Sequence, residues 1–468
     1  MPRVVCIPTA RPTFAVETAA KRAAQARTLL AELGADVVGP TNLVMTPDDV
    51  EDAAGFVDPD ADLVVNVCAS FSDATPALRL YRDLDRPVLL WAFREPGPVG
   101  DRLWLNSLCG ANLFGHALVG HGGEVRLLYG DPEEPAVRAA LREALAGALP
   151  PAPQLPAAAG RARAASDDVL PALDGLRGRR IGVIGDAPAG FTPCEYDPEI
   201  ITRLFGVEVD QLDLDELIER IRDADPAARD RELAEAVEQR PTLRHLDTTH
   251  VEPFAAMTTV LRDWSAGQLL SGVALRCWPE LPTELGACPC SALSRLADEG
   301  TATACERDVY GALTMLVFEA LGSGPTYLVD TVDLQTDDNI VRVWHCGSAA
   351  TKLAAEPATA TQSVHCNRKI GVAGDFPLKT GRVVLGRLTE NPAQPGGLRL
   401  LLTSGESVPA PNRFQGNTAD VVLDTAADEF VHGLVTGGFP HHTVIAWQDV
   451  RPALRTAADH LGIPIVEW

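Results

Sequence analysis

The first 149 residues alternate short apolar runs with amphipathic stretches, and this alternation constrains the fold more than any other feature of the sequence. Residues 16–33 and 135–149 have the spacing of amphipathic helices. The apolar runs predict five strands, at residues 3–8, 36–39, 62–68, 87–93 and 124–129. Strands that alternate with helices form a parallel sheet covered by helices on both faces. We therefore expect an N-terminal α/β domain.

Two further changes of pattern divide the rest of the chain. A stretch rich in Ala and Pro precedes a second strand–helix alternation, whose first strand carries glycines that do not match the GxGxxG spacing of dinucleotide sites. Near residue 336 this alternation gives way to short strands separated by turns, which predicts antiparallel β-structure. The expected fold is two Rossmann-like parallel-sheet α/β domains followed by an antiparallel β-barrel-like domain. The expected boundaries are 1–150, a linker at 151–172, 173–335 and 336–468.

The composition restricts the partners of the chain. Its 64 acidic residues against 40 Lys and Arg give a net charge of −24, which argues against nucleic acid and anionic membranes. No apolar run has the length of a membrane span, and the N-terminus resembles a first strand more than an export signal. Ten cysteines in mostly apolar surroundings predict reduced, buried thiols in a cytoplasmic protein. One close pair, Cys288 and Cys290, is a weak zinc signal.

Two carboxylates flank one predicted helix–turn–strand unit. Glu306 precedes an apolar helix, and Asp330 lies within a short apolar strand. A carboxylate in an apolar strand is costly to bury unless a cation or hydrogen bonds hold it. The residues alone leave two interpretations open. The pair is either a metal or acid–base site, or a helix cap and a strand-end Asp.

Histidines further along the chain could complete a metal site. His345 ends a predicted strand, and His441 and His442 lie between a Gly-Gly-Phe-Pro turn and a strand. Imidazole and carboxylate together suit borderline divalent cations such as Mn²⁺, Zn²⁺ or Fe²⁺. Alternatively, each His is a hydrogen-bonded structural residue beside a strand. Only the fold can bring these distant residues together, so both interpretations stay open at this point.

The segment CERDVYGALTMLVFEALGSGPTYLVD resembles the core of the L-fucose/L-arabinose isomerase superfamily, and the chain is identified as fucose isomerase-like. Glu306 and Asp330 occupy the places of the metal-binding Glu and Asp of fucose isomerases. The HHTV motif resembles the terminal motif of arabinose isomerases, in which the second His is the ligand. The resemblance thus implies a metal set of Glu306, Asp330, His442 and, as in the arabinose branch, His345.

The resemblance also implies an activity. It indicates an aldose–ketose isomerase that works through a cis-enediol with Mn²⁺ or another divalent cation. Glu306 and Asp330 would serve as base and acid, in an order left open. One alternative is another metal-dependent enediolate enzyme on a sugar, an epimerase or a lyase. A second alternative is a non-catalytic sugar-binding protein on the same fold.

Assembly and substrate contacts follow from the same resemblance. Members of the superfamily are commonly hexamers with active sites between subunits, so we expect a homo-oligomer, a hexamer or a trimer. Arg11 and Trp91, at predicted strand ends, would reach a neighbouring subunit's sugar, and Arg276 and His441 are further candidate substrate-binding residues. Arg binds anionic groups well, so an anionic modified sugar is an alternative to a neutral one such as L-fucose. The resemblance favours the neutral sugar.

Overall fold

A computed structural model describes residues 1–150, 152, 155–156, 168–356 and 359–468 of the protein. The predicted linker at 151–172 lies mostly outside the described residues, and its last part enters the helix Val169–Asp174. No helix in these described ranges combines the length and apolar character required to cross a membrane.

The N-terminal sheet has five parallel strands, as predicted from the alternating pattern. The strands are β1 (Arg3–Thr9), β2 (Asp36–Val38), β3 (Leu63–Cys68), β4 (Val88–Ala92) and β5 (Val125–Tyr129). Their order in the sheet is β2-β1-β3-β4-β5. The helices are α1 (Val16–Glu32), α2 (Pro47–Ala54), α3 (Thr75–Tyr81), α4 (Ser107–Gly120) and α5 (Pro135–Leu145). Because α4 is buried along most of its length, it lacks the amphipathic spacing that marks α1 and α5 in the sequence.

The second sheet has four parallel strands, β6 (Arg180–Ile184), β7 (Glu208–Leu212), β8 (Leu270–Leu275) and β9 (Ala302–Ala304), in the order β7-β6-β8-β9. Helix α6 (Val169–Asp174) precedes the first strand of this unit, and α13 (Val309–Ala320) follows its last strand. The helices between them are α7 (Pro198–Phe205), α8 (Leu214–Arg222), α9 (Pro226–Gln239), α10 (Thr248–Gln268), α11 (Glu280–Leu285) and α12 (Cys290–Asp298). Both predicted parallel-sheet units are therefore confirmed.

The C-terminal part forms a closed six-stranded antiparallel barrel with three additional strands. The strands are β10 (Thr326–Gln335), β11 (Ile340–His345), β12 (Thr361–Val364), β13 (Val372–Pro377), β14 (Gly381–Glu390), β15 (Leu398–Val408), β16 (Asn417–Leu423), β17 (His442–Ala446) and β18 (Ile465–Glu467). The helices are α14 (Ala427–Thr436) and α15 (Arg451–Leu461). The barrel runs β10-β11-β16-β15-β14-β17 and returns to β10, which leaves no open edge among these six strands.

The strand that carries Asp330 belongs to this barrel. The sequence grouped it with the second α/β domain, whereas β10 pairs with β11 and β17. An apolar run of this length identifies a buried strand but not the sheet that it joins. We accordingly propose a domain boundary before Thr326. The pairing places Asp330 directly opposite His442 on one side and Trp344 on the other.

Candidate active site

One cavity, about 90 Å³ in volume, is lined by segments of all three sheets. Arg11 follows β1, Trp278 follows β8 and Glu306 follows β9, so the two parallel sheets contribute residues beyond the carboxyl ends of their strands. Asp330 and His345 line the same cavity from the barrel strands β10 and β11. The carboxyl ends of parallel strands are the usual ligand sites of α/β sheets.

The four residues that the resemblance implied as metal ligands lie together: Glu306, Asp330 and His345 line the cavity, and His442 is fully buried next to them. His442 Nε2 lies 3.6 Å from Glu306 Oε2 and 3.5 Å from Asp330 Oδ1. Asp330, His345 and His442 each offer a ligand atom within 4.8 Å of the others. Glu306, His441 and His442 form a second such group. The structure therefore brings together two carboxylates and three imidazoles from four separate segments.

Unpaired polar atoms at the centre of this cluster fit a divalent cation. Among the described residues, Glu306 Oε2, Asp330 Oδ1 and His442 Nε2 are buried and have no hydrogen-bond partner. Each buried polar atom without a partner costs about 1–3 kcal/mol. Carboxylate oxygen and imidazole nitrogen are the ligands that Mn²⁺, Zn²⁺ and Fe²⁺ accept, so one cation would satisfy all three atoms together.

Glu306 reaches the cluster from a left-handed turn. The sequence predicted it at a helix start, but it lies in the 3₁₀ turn Cys305–Arg307, with φ of +58° at Glu306 and +62° at Arg307. Such conformations cost about 1–3 kcal/mol at each residue other than Gly and concentrate at functional sites. The Arg307 guanidinium fixes the turn by donating to the carbonyl oxygens of Gly185, at 2.5 Å, and Cys194, at 3.2 Å.

Asp308, which the sequence did not single out, supports the cluster from behind. It is the N-cap of α13 and accepts a hydrogen bond from the Gly311 backbone N–H at 2.8 Å. Its Oδ2 lies 2.9 Å from His442 Nδ1, and Arg387 donates to both of its oxygens at 2.5 and 2.7 Å. Engaging Nδ1 leaves His442 Nε2 directed at the carboxylates, an arrangement common to metal-binding His. Nothing in the local sequence distinguishes Asp308 from the many other acidic residues.

Neighbouring charges favour ionised carboxylates in the cluster. Burial alone would raise the pKa of Asp308, but Arg387 and His442 outweigh it and hold that pKa well below its usual range. Burial likewise acts to raise the pKa of Glu306, while His441 and His442 bring it below its ordinary value. Both carboxylates are therefore ionised, Asp308 as the partner of His442 Nδ1 and Glu306 in the form that binds cations.

The remaining histidines differ in their surroundings. His345 Nδ1 accepts a hydrogen bond from the Cys346 backbone N–H at 2.9 Å, which leaves Nε2 as its available nitrogen. His441 lines the cavity, with Nε2 3.4 Å from Glu306 Oε2 and its ring centroid 6.2 Å from those of Phe71 and Phe191. His441 therefore lies between the carboxylates and an aromatic wall, where a substrate-binding residue is expected.

Arg11 lines the cavity of its own chain. Its Cζ lies 4.0 Å from the centroid of the Trp278 ring, and the same cavity contains Glu306 and Asp330. The sequence predicted that Arg11 would reach a neighbouring subunit's site. In the structure the loop after β1 faces the barrel of the same chain, and a contact of Arg11 with a neighbouring subunit stays a prediction.

Trp91 and Arg276 do not line this cavity, contrary to the sequence prediction. Trp91 is fully buried within β4, and its Nε1–H donates to the Gly130 carbonyl oxygen at 2.9 Å. Because side chains alternate across a strand, Trp91 packs on a sheet face and does not extend beyond the strand end. Arg276 forms a two-point ion pair with Glu280, four residues on, and lines a separate cleft.

The sequence of the chain was also compared with those of known proteins. No protein-family model matches it. Sulfoquinovose isomerase of Alkalicoccus urumqiensis is 33% identical over 465 residues, 99% of both chains. The sulfoquinovose isomerases of Priestia megaterium (31% over 452 residues; 96% of this chain, 95% of the relative) and Clostridium sp. (29% over 467 residues; 98% of each) are also similar. The sugar-isomerase class implied by the fucose isomerase-like resemblance is thereby confirmed. The chain belongs to the sulfoquinovose isomerase family and is an aldose–ketose isomerase.

Proposed function

We propose that the protein is a metal-dependent isomerase that interconverts sulfoquinovose, a 6-deoxyglucose with a sulfonate on C6, and the corresponding ketose. The names of the relatives support this substrate. An anionic sugar thus replaces the neutral sugar that the sequence favoured. The proposal is carried by one observation, the convergence of unpaired Glu306, Asp330 and His442 atoms at a cavity that the two carboxylates line.

Glu306, Asp330, His345 and His442 would hold the cation, and Mn²⁺ is the cation that the resemblance implies. A divalent cation bound there would supply Lewis-acid stabilisation of negative charge on the substrate oxygens. Asp308 maintains the orientation of His442 through its Nδ1. The aromatic side chains of Phe71 and Trp278, which also line the cavity, would exclude water from the reacting carbons.

The carboxylates would move the proton. Isomerisation transfers one proton between C1 and C2 through a cis-enediol, so it needs a base and an acid near both carbons. Glu306 and Asp330 each lie within 3.6 Å of His442 Nε2 and can divide these roles. His441, beside Glu306, would orient a substrate hydroxyl.

Assembly and location are part of the same proposal. We propose a homo-oligomer, a hexamer or a trimer, on the basis of the superfamily resemblance. A cytoplasmic location agrees with ten free cysteines, nine of them buried, because reducing compartments preserve free thiols. Sedimentation of the purified enzyme tests the oligomer, and a monomer that retains full activity would contradict it.

Metal removal in D₂O tests the proposed reaction. We expect EDTA to lower the rate of sulfoquinovose isomerisation by at least about 10³-fold, because the charge-stabilising cation is lost. Added Mn²⁺ should restore the rate, and NMR should detect the ketose with deuterium at C1. Full activity in metal-free enzyme would contradict the metal dependence. A C2 epimer or a cleaved sugar as the product would favour the alternative enediolate reactions.

The two adjacent histidines should differ in their effect on metal binding. We expect His442→Ala to weaken Mn²⁺ binding about 100-fold, because Nε2 is a direct ligand and its imidazole is fixed by Asp308. His441→Ala, the matched variant, should raise KM for the sugar more than it weakens metal binding. Calorimetric Mn²⁺ titration of both variants measures this difference, and a larger metal loss in His441→Ala would reverse the assignment.

A further inference from the structure

The two ends of the proposed substrate need different surroundings in the site. Its reactive carbons, C1 and C2, lie at one end of the carbon chain and its sulfonate at the other. The cavity contains Glu306 and Asp330, and the whole chain has a net charge of −24, so an anion is repelled unless cations lie nearby. A site for this substrate therefore needs a cationic subsite away from the metal ligands.

Two arginines line the cavity and form no ion pair with any residue that the structure describes. The Cζ atoms of Arg11 and Arg368 lie 4.0 and 5.6 Å from the centroid of the Trp278 ring. Among the ion pairs of the described residues, neither guanidinium has a carboxylate within 4.0 Å. By contrast, Arg387 and Arg295, which are fully buried elsewhere, are both paired with carboxylates. The two cavity arginines thus have free hydrogen-bond donors.

The loop that carries Arg368 is held in place by its own hydrogen bonds. His365 Nδ1 accepts from the backbone N–H groups of Asn367 and Arg368 at 3.2 and 3.3 Å, and the His365 carbonyl accepts from Lys369 N–H at 2.9 Å. Gly371, with φ of +68°, lies so close to the loop before α12 that a Cβ there would collide with the backbone of Cys288. Arg368 is therefore presented from a fixed turn.

Arg11 is fixed from the other side. Its backbone N–H donates to Ser70 Oγ at 3.0 Å, and its guanidinium stacks on Trp278, whose ring packs against Phe191 with a centroid distance of 5.0 Å. Burial lowers the pKa of Arg11, the charges of Asp73 and Glu306 act to raise it, and the positive charge of Arg368 acts to lower it further. The two cations therefore repel one another, and an anion between them would remove that repulsion.

A series of ring contacts connects this pair with the proposed metal ligands. The Trp278 ring contacts Phe191, the Phe191 ring centroid is 6.2 Å from that of His441, and His441 Nε2 is 3.4 Å from Glu306. The lining of the cavity thus combines the carboxylates of Glu306 and Asp330 with two guanidiniums beside Trp278. This combination matches a sugar with a reactive carbonyl at one end and an anion at the other.

We propose that Arg11 and Arg368, stacked beside Trp278, form the subsite that binds the sulfonate of the sugar, an assignment that rests on the proposed function. The planar guanidinium presents paired N–H donors that match the oxygens of such an anion. Both guanidiniums would determine the preference of this subsite for a sulfonate. Both arginines come from the chain that supplies the metal ligands.

Calorimetric binding to EDTA-treated enzyme tests the subsite without turnover. Sulfoquinovose is compared with quinovose, the same sugar without the sulfonate. We expect wild type to prefer sulfoquinovose and Arg368→Gln to bind it roughly 10- to 100-fold more weakly, as for a lost charge-assisted contact. Quinovose binding should change less than about threefold, well below the loss of one such contact. Arg11→Gln is a second, independent variant, and Arg222→Gln, in an exposed ion pair, is the matched control.

The binding results test the sulfonate subsite independently of the proposed isomerisation. An unchanged sulfoquinovose-to-quinovose preference in both Arg11→Gln and Arg368→Gln would overturn the subsite, even if the wild type isomerises the sugar. Tighter binding of glucose 6-phosphate than of sulfoquinovose would overturn its assignment to a sulfonate. If sulfoquinovose binds through Arg368 but is not isomerised with Mn²⁺, the subsite is supported and the proposed function is contradicted.

Discussion

Glu306→Gln is expected to lower kcat/KM for isomerisation by at least about 10⁴-fold, the combined effect of losing a metal ligand and an acid–base group. The amide retains the shape of the carboxylate but removes its charge, and Glu306 Oε2 is one of the unpaired atoms at the centre of the cluster. The measurement is steady-state kinetics at saturating Mn²⁺.

Two comparisons make this result specific. Glu252→Gln, an exposed substitution of the same kind on α10, should leave the kinetics unchanged. Thermal unfolding should show that Glu306→Gln is folded, because the amide occupies the same space as the carboxylate at a side chain that is 18% exposed. A loss of activity under about tenfold would mean that Glu306 only shapes the turn.

Asp308→Asn should lower both stability and metal affinity. Asp308 and Arg387 are fully buried and joined at two points, so neutralising Asp308 leaves a buried cation without its partner. Breaking such a pair costs about 3–5 kcal/mol of unfolding free energy. The same change weakens the support of His442 and should reduce Mn²⁺ affinity about 10- to 100-fold.

A double variant separates these two effects. Arg387→Met added to Asp308→Asn removes the buried charge, so denaturant unfolding should show that much of the lost stability returns. Mn²⁺ affinity should stay low, because His442 still lacks its carboxylate partner. Recovery of both properties together would show that Asp308 acts on the metal site only through folding.

The sequence predicted the sheets well because strand and helix periodicity is local. The five strands of the first sheet and the main barrel strands are visible as apolar runs with turns between them. The sheet that β10 joins depends on pairing with distant strands, which the local sequence does not reveal. For this reason Asp330 was grouped with the second α/β domain. Glu306 and Asp330 could be singled out as candidate metal ligands because they fit one family motif without a gap.

Supporting residues could not be predicted in the same way. Asp308 matters because His442 and Arg387, more than 70 residues away, converge on it. Arg368 lies in a loop whose position depends on a close approach to Cys288. Trp91 was misassigned because strand-end position alone does not reveal the side of the sheet on which a side chain packs.

Anomalous diffraction from Mn²⁺-soaked crystals would locate the proposed cation. We expect one manganese peak within bonding distance of Glu306, Asp330, His345 and His442. A peak confined to the neighbouring group of Cys290, Cys346 and His365, or no peak at the carboxylates, would contradict the assignment of the active site.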